Sequence, residues 1–104
     1  MNNITRIVTI TTALFILPAI NAQAADTQAG KEKAAKCASC HGKDGISNSP
    51  LIPNLAGQKE AYLVKALEAY KEGQRSNAMM RSVTASLNEE DMADLAAYYS
   101  SLSP

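Results

Sequence analysis

The 104-residue chain has few metal-binding nitrogen and sulfur atoms: one histidine, His41, and two cysteines, Cys37 and Cys40. A closed structural zinc site takes four protein ligands, and these three donors do not complete one. Neither sign of charge is in excess, with ten basic against ten acidic residues. Near neutrality argues against nucleic acid as a partner. Long hydrophobic runs are also missing. The apolar stretch from Ile7 to Ile20 is 14 residues, short of the ~20 that a spanning helix needs. Finally, no alternation of strand and helix patterns is visible, and a thioredoxin-like thiol pair belongs near one.

The N-terminus has a different use for its short apolar run. Met1 to Arg6 is polar with one positive charge, Ile7 to Ile20 is apolar, and Ala22-Gln23-Ala24 is an A-x-A pattern. Charged region, apolar region and small-residue site together read as a secretory signal peptide over 1–24. Cleavage is expected after Ala24, with Ala25 as the alternative, leaving one domain over 25–104. Removing Arg6 leaves nine basic residues against ten acidic. A chain of this size is marginal on its own core and usually needs a staple.

The scarce donors are all in one place, Cys37-Ala38-Ser39-Cys40-His41. On a helix, positions i and i+3 share a face. Each thiol could then bond one vinyl group of a haem, with His41 beside the porphyrin to bind the iron. C-x-x-C-H reads as covalent c-type haem attachment for this reason. The rival readings are a structural disulfide and a thiol redox pair. A covalently held haem c would supply both the missing staple and a large apolar plate to pack against.

The remaining chain reads as helices joined by turn-rich loops. Residues 26–40 form a first helix, capped by Asp26 or Thr27 and favoured by Ala29, Ala34, Ala35 and Ala38. Gly30 within it marks either a close helix crossing or a weak first turn. Gly42 to Gln58 is rich in turn formers, a long loop of the kind that wraps something functional. Lys59 to Glu72 is helical, with Tyr62, Leu63, Ala66, Leu67 and Tyr70 on one stripe, read mainly as core, and Gly73 as its stop. Gln74 to Leu87 reads as a second loop carrying Met79 and Met80. A thioether is a known axial partner of haem iron, and the two adjacent methionines leave the choice open. The last helix starts at Asn88, with Asp91 at N3 and a Leu87–Met92 staple. Met92, Leu95, Ala96, Tyr99 and Leu102 repeat at helical spacing, which makes Met92 core.

These blocks together resemble the class I c-type cytochromes, close to small bacterial cytochromes of the c-553 type and single domains of cytochrome c-4. The resemblance is carried by Cys37-Ala38-Ser39-Cys40-His41-Gly42, Asp44-Gly45, Pro53-Asn54-Leu55-Ala56-Gly57-Gln58, Tyr62-Leu63, Gly73-Gln74-Arg75, Met79-Met80 and Leu95-Ala96-Ala97-Tyr98-Tyr99. It implies an all-α fold, a small cytochrome c fold with helices packed around one covalently attached haem. The N- and C-terminal helices of that fold cross near the haem, and Gly30 fits the crossing. The aromatic often found one turn later is Ala34 here. The family also implies that the Pro53 carbonyl holds the Nδ1–H of His41, as metal-ligating histidines require. Its axial methionine follows the Gly-x-Arg arginine by five residues, which from Arg75 gives Met80, with Met79 as the alternative.

Iron ligated by His41 and Met80 has no open site for substrate, so the expected function is a single-electron carrier and not an enzyme. A haem enzyme or ligand sensor needs a displaceable sixth ligand, and no second histidine is present as a distal acid–base group. The alternative is a haem subunit or domain of a larger redox complex. Export implies a periplasmic protein with no membrane span in its mature form, and a monomer is expected. Its expected partners are redox proteins of a respiratory chain, namely a terminal oxidase, a reductase or another cytochrome. Lys31, Lys33, Lys36 and Lys43 flank the haem motif. They read either as a ring that steers an acidic partner or as a solvated charge run.

Overall fold

A computed structural model describes residues 4–18 and 24–104. Residues 4–18 have no regular structure and are exposed, while the expected cleavage pattern lies largely outside the described residues. The described residues contain five helices and no strand: α1 (Thr27–Lys33), α2 (Ala35–His41), α3 (Glu60–Glu72), α4 (Ala78–Thr84) and α5 (Glu89–Ser101). The expectation of an all-α fold holds.

Two boundaries differ from the sequence reading. The first helix is broken into α1 and α2 at Ala34, whose ψ opens to −8°. The Cys37 N–H then reaches the Ala34 carbonyl at 2.9 Å, a tightened turn. Alanine propensity favours one continuous helix here, but tertiary packing overrides it. α1 lies along α5, whereas α2 carries the haem motif to a cavity. The second difference is α4, which lies where a loop was expected. Asn77 caps it, its side-chain oxygen accepting the Met80 N–H at 3.0 Å. Ala78, Met79, Met80 and Arg81 are good helix formers, and these local terms outweigh the polar flanks.

The core joins Ala34, Leu63, Leu87, Met92, Leu95, Ala96, Tyr98 and Tyr99, with Cys37 packed against it. Met92 is core, as its position on the α5 stripe requires. At the crossing of α1 and α5, Gly30 lies against the Asp94 backbone, and a Cβ there would come within 2.8 Å of the Tyr98 Cβ. The close-crossing reading of Gly30 therefore holds. Asp94, only 3 % exposed, ties the crossing together. Its carboxylate accepts the Asp26 N–H at 2.8 Å and the Lys33 ammonium at 2.7 Å. Lys33 also meets Asp91 at 3.0 Å. α5 begins in a capping box in which Asn88 and Asp91 satisfy each other's backbone.

Candidate haem site

α2 ends at the motif because Gly42 turns the chain with φ +88°. A side chain on Gly42 would collide with the Ile46 carbonyl, so the tight exit requires glycine. The loop from Gly42 to Gln58 then folds back on itself. The Gly45 carbonyl accepts N–H groups from Leu55 at 2.8 Å and Ala56 at 3.1 Å, and the Asn54 side chain accepts the Ser47 N–H at 2.7 Å. The Gly57 N–H reaches across to the Tyr99 carbonyl at 3.0 Å, which fastens the loop to α5. Thus held, the loop brings the Pro53 carbonyl 2.8 Å from Nδ1 of His41. A carbonyl only accepts, so Nδ1 of the neutral ring carries the proton and Nε2 keeps its lone pair.

His41, Cys37 and Cys40 open onto a cavity of about 530 Å³. The loop, α3, α4 and α5 form its other walls, contributing Pro53 and Leu55, Leu63 and Leu67, Met80, and Leu95 and Tyr99 respectively. The Tyr62–Tyr70 stripe on α3 therefore faces this cavity for most of its length, and only Leu63 is fully buried. The sequence reading of that stripe as plain core is corrected: apolar periodicity identifies a buried face without saying what it faces. Met79 and Met80 both line the space, but Met79 is 65 % exposed and Met80 is half-buried.

Both cysteines are free, Cys37 half-buried and Cys40 exposed. Burial pushes the Cys37 thiol above its usual range. No trio of histidine, cysteine or acidic side chains is placed to hold a metal ion among the described residues. Burial likewise pushes the Tyr99 hydroxyl up, with the neighbouring Cys37 adding to the effect. That hydroxyl is buried and has no hydrogen-bond partner among the described residues. Sequence reasoning placed Tyr99 on the core stripe and missed that the residue also lines the site. Tyr70 of the α3 stripe and Arg75 of the Gly-x-Arg block also line the wall, the guanidinium lying 4.6 Å from the ring centroid, a pairing that sequence reasoning did not foresee.

The volume falls within the roughly 300–1,000 Å³ of cofactor pockets, and its walls are largely apolar side chains. Two unpaired thiols and one oriented imidazole converge on it, so the residues fit a haem.

Comparison with known proteins agrees. The cytochrome c family pattern matches residues 27–103. The chain belongs to the cytochrome c family. It is an electron-transfer protein, not an enzyme, and the family's prosthetic group is covalently bound haem c. Among relatives, it is 46 % identical over 81 residues to cytochrome c-554(548) of Halomonas halodenitrificans, covering 75 % of this chain and 98 % of that one. It is also 46 % identical over 78 residues to cytochrome c4 of Pseudomonas aeruginosa, covering 75 % of this chain but 39 % of the relative. The solved cytochrome c4 of Acidithiobacillus ferrooxidans superposes with a TM-score of 0.71 at 32 % identity, over 80 % of this chain and 53 % of that one. The cytochrome thus spans about half or less of its cytochrome c4 relatives, but nearly the whole of the c-554(548) protein.

Proposed function

We propose that this cytochrome is a periplasmic single-electron shuttle whose haem is bound through Cys37 and Cys40, with His41 and Met80 as axial ligands. The observation that carries the reading is the Pro53 carbonyl 2.8 Å from His41 Nδ1. It fixes the ring's tautomer and orientation and leaves Nε2 to ligate. When bound, haem supplies a one-electron ferrous/ferric couple. The chain's task is to hold it. Leu63 and Leu95 keep water from the interior, and the His/Met pair favours the reduced state, giving a relatively oxidising carrier. With His41 and Met80 both holding the iron, no position on it would be left for a substrate.

Met80 is preferred over Met79 because it is half-buried against the cavity, whereas Met79 is largely solvated. The test is the methionine–iron charge-transfer band of the oxidised holoprotein. It should vanish in Met80→Ala and persist in Met79→Ala; the reverse pattern would reassign the ligand. Export rests on the signal-like leader, with N-terminal sequencing of the exported protein expected to begin at Ala25. No described helix is long and apolar enough to cross a membrane.

The partners are other redox proteins. Coverage of 98 % of cytochrome c-554(548) supports a single-haem carrier. The greater length of the cytochrome c4 relatives supports the second reading, a haem domain that works within a larger complex. Size exclusion of the exported holoprotein separates the two. Lys33 is committed to Asp91 and Asp94, which leaves Lys31 and Lys43, both exposed, and Lys36, at the cavity wall, for any basic docking rim.

A further inference from the structure

Tyr99 has no part in the reading above, yet it lines the site, with its hydroxyl sealed behind that wall. Tyr99 is 2 % exposed and lines the cavity together with Cys37. Its oxygen is buried without a hydrogen-bond partner among the described residues. An unpaired buried hydroxyl forfeits its hydration, so nearly all such groups have an acceptor in the working state of a protein. The ring has little freedom to seek one elsewhere. It lies beside the Gly45 backbone on one side, and on the other the Tyr98 ring centroid is 5.1 Å away. Cys37 packs against the core cluster that holds Tyr99, and both residues line the same cavity, which makes its sulfur the acceptor within that wall.

We propose that Tyr99 donates its O–H to the Cys37 sulfur once that sulfur is a haem thioether, and that this hydrogen bond raises the reduction potential. The inference rests on attachment through Cys37, as proposed above. A thiol offers a weak donor as well as a weak acceptor, whereas a thioether sulfur only accepts. Attachment therefore turns the neighbour of the phenol into a pure acceptor. A donor on that sulfur withdraws electron density from the ring system to which the sulfur is bonded. This disfavours the more positively charged ferric state, in line with the general control of haem potential by surrounding hydrogen bonds and burial. Cys40 has no comparable environment, being exposed with only the Ser39 hydroxyl 4.0 Å from its sulfur. The two thioethers are thus inequivalent, and the buried one is tuned.

The experiment uses the exported holoprotein and its Tyr99→Phe and Tyr98→Phe variants. Peptide mapping first establishes whether haem is bound at Cys37; its absence there would defeat the attachment reading, whatever Tyr99 does. With attachment established, resonance Raman spectra of the wild type in H₂O and D₂O should show a deuterium-sensitive C–S stretch for the Cys37 thioether. That sensitivity should be lost in Tyr99→Phe. Tyr99→Phe should also shift the electron-exchange equilibrium with a reference mediator roughly threefold toward oxidation, ~28 mV at 59 mV per decade. Tyr98→Phe should change neither quantity. A wild-type band indifferent to deuterium overturns the proposal even if the potential moves, because the ring would then act by packing alone. The wild-type measurement stands whether or not the variant folds.

Discussion

Replacing Gly30 by alanine tests the helix crossing that holds the haem motif in place. On an isolated helix the change would stabilise by ~1 kcal/mol, since alanine is the better helix former. Here the added Cβ would lie 2.6 Å from the Asp94 carbonyl carbon and 2.8 Å from the Tyr98 Cβ. Carbon atoms in good contact are ~3.5–4.0 Å apart, so α1 and α5 must separate by roughly 1 Å. The obstruction is mostly backbone, which cannot rotate away. Overpacking of this kind costs ~1–3 kcal/mol. Separation also strains the two bonds that Asp94 makes to α1, at the Asp26 N–H and the Lys33 ammonium. A net loss of ~2 kcal/mol follows, or a Tm lower by ~8–16 °C for a domain of this size. The assay is thermal and denaturant unfolding of the holoprotein, followed by far-UV circular dichroism with the haem attached. Gly73→Ala is the contrast. Gly73 has φ +83° but open space, so its cost is the ~1–2 kcal/mol of left-handed backbone alone. A Gly30→Ala protein as stable as wild type, or more so, would refute the crossing argument and return Gly30 to the status of a weak first turn.

Three further outcomes are expected. Asp94 titrates below the usual carboxylate range because of the Lys33 ammonium and then the Asp26 N–H, and Asp91 because of the Asn88 N–H and then Lys33. Their contribution to stability is complete above the unfolded carboxylate value of ~3.9 and is lost as pH falls through the lower folded values. Melting of the holoprotein from neutral to strongly acid pH should therefore show a steep acid limb that Asp94→Asn makes shallower, along with a lower Tm at neutral pH; an unchanged limb would remove Asp94 from the acid response. Asn88→Ala, which dismantles the α5 capping box, should cost ~1 kcal/mol in denaturant unfolding, with no change in the visible spectrum. If Lys36 and Lys43 steer a partner, electron transfer to an isolated acidic redox protein should slow with rising salt, and Lys36→Gln/Lys43→Gln should be slower at low salt and less salt-dependent; a rate flat in both tests would point to an apolar contact.

Most of the site was legible because its chemistry is local. Cys37, Cys40 and His41 lie within little more than one turn of one helix, and C-x-x-C-H needs nothing beyond its own spacing to bring them to one cavity wall. The α5 start was legible for the same reason, Asn88 and Asp91 being three residues apart. Less was legible where two segments compete. The break at Ala34 follows from α1 and α2 answering to different neighbours, a conflict that helix propensity does not record. The α3 stripe was correctly read as an apolar face, but whether that face meets other side chains or a cofactor is set by what stands opposite. α4 was missed because polar neighbours of Met79 and Met80 outweighed a one-residue cap at Asn77.

What the sequence determined by itself was the identity and order of the reactive groups and the all-α fold class. Scarcity did part of this: with one histidine and two cysteines, the chemistry had only one place to be. Tertiary structure alone decided the environments. It set the 2.8 Å contact that orients His41, the unequal burial of Cys37 and Cys40 and of Met79 and Met80, the loss of Lys33 from any docking rim, and the place of Tyr99 in the cavity wall. Each depends on segments far apart in the chain, such as Lys33 and Asp94, separated by 61 residues. Burial and charge pairing are properties of the space between such segments, and that space exists only after the helices have packed.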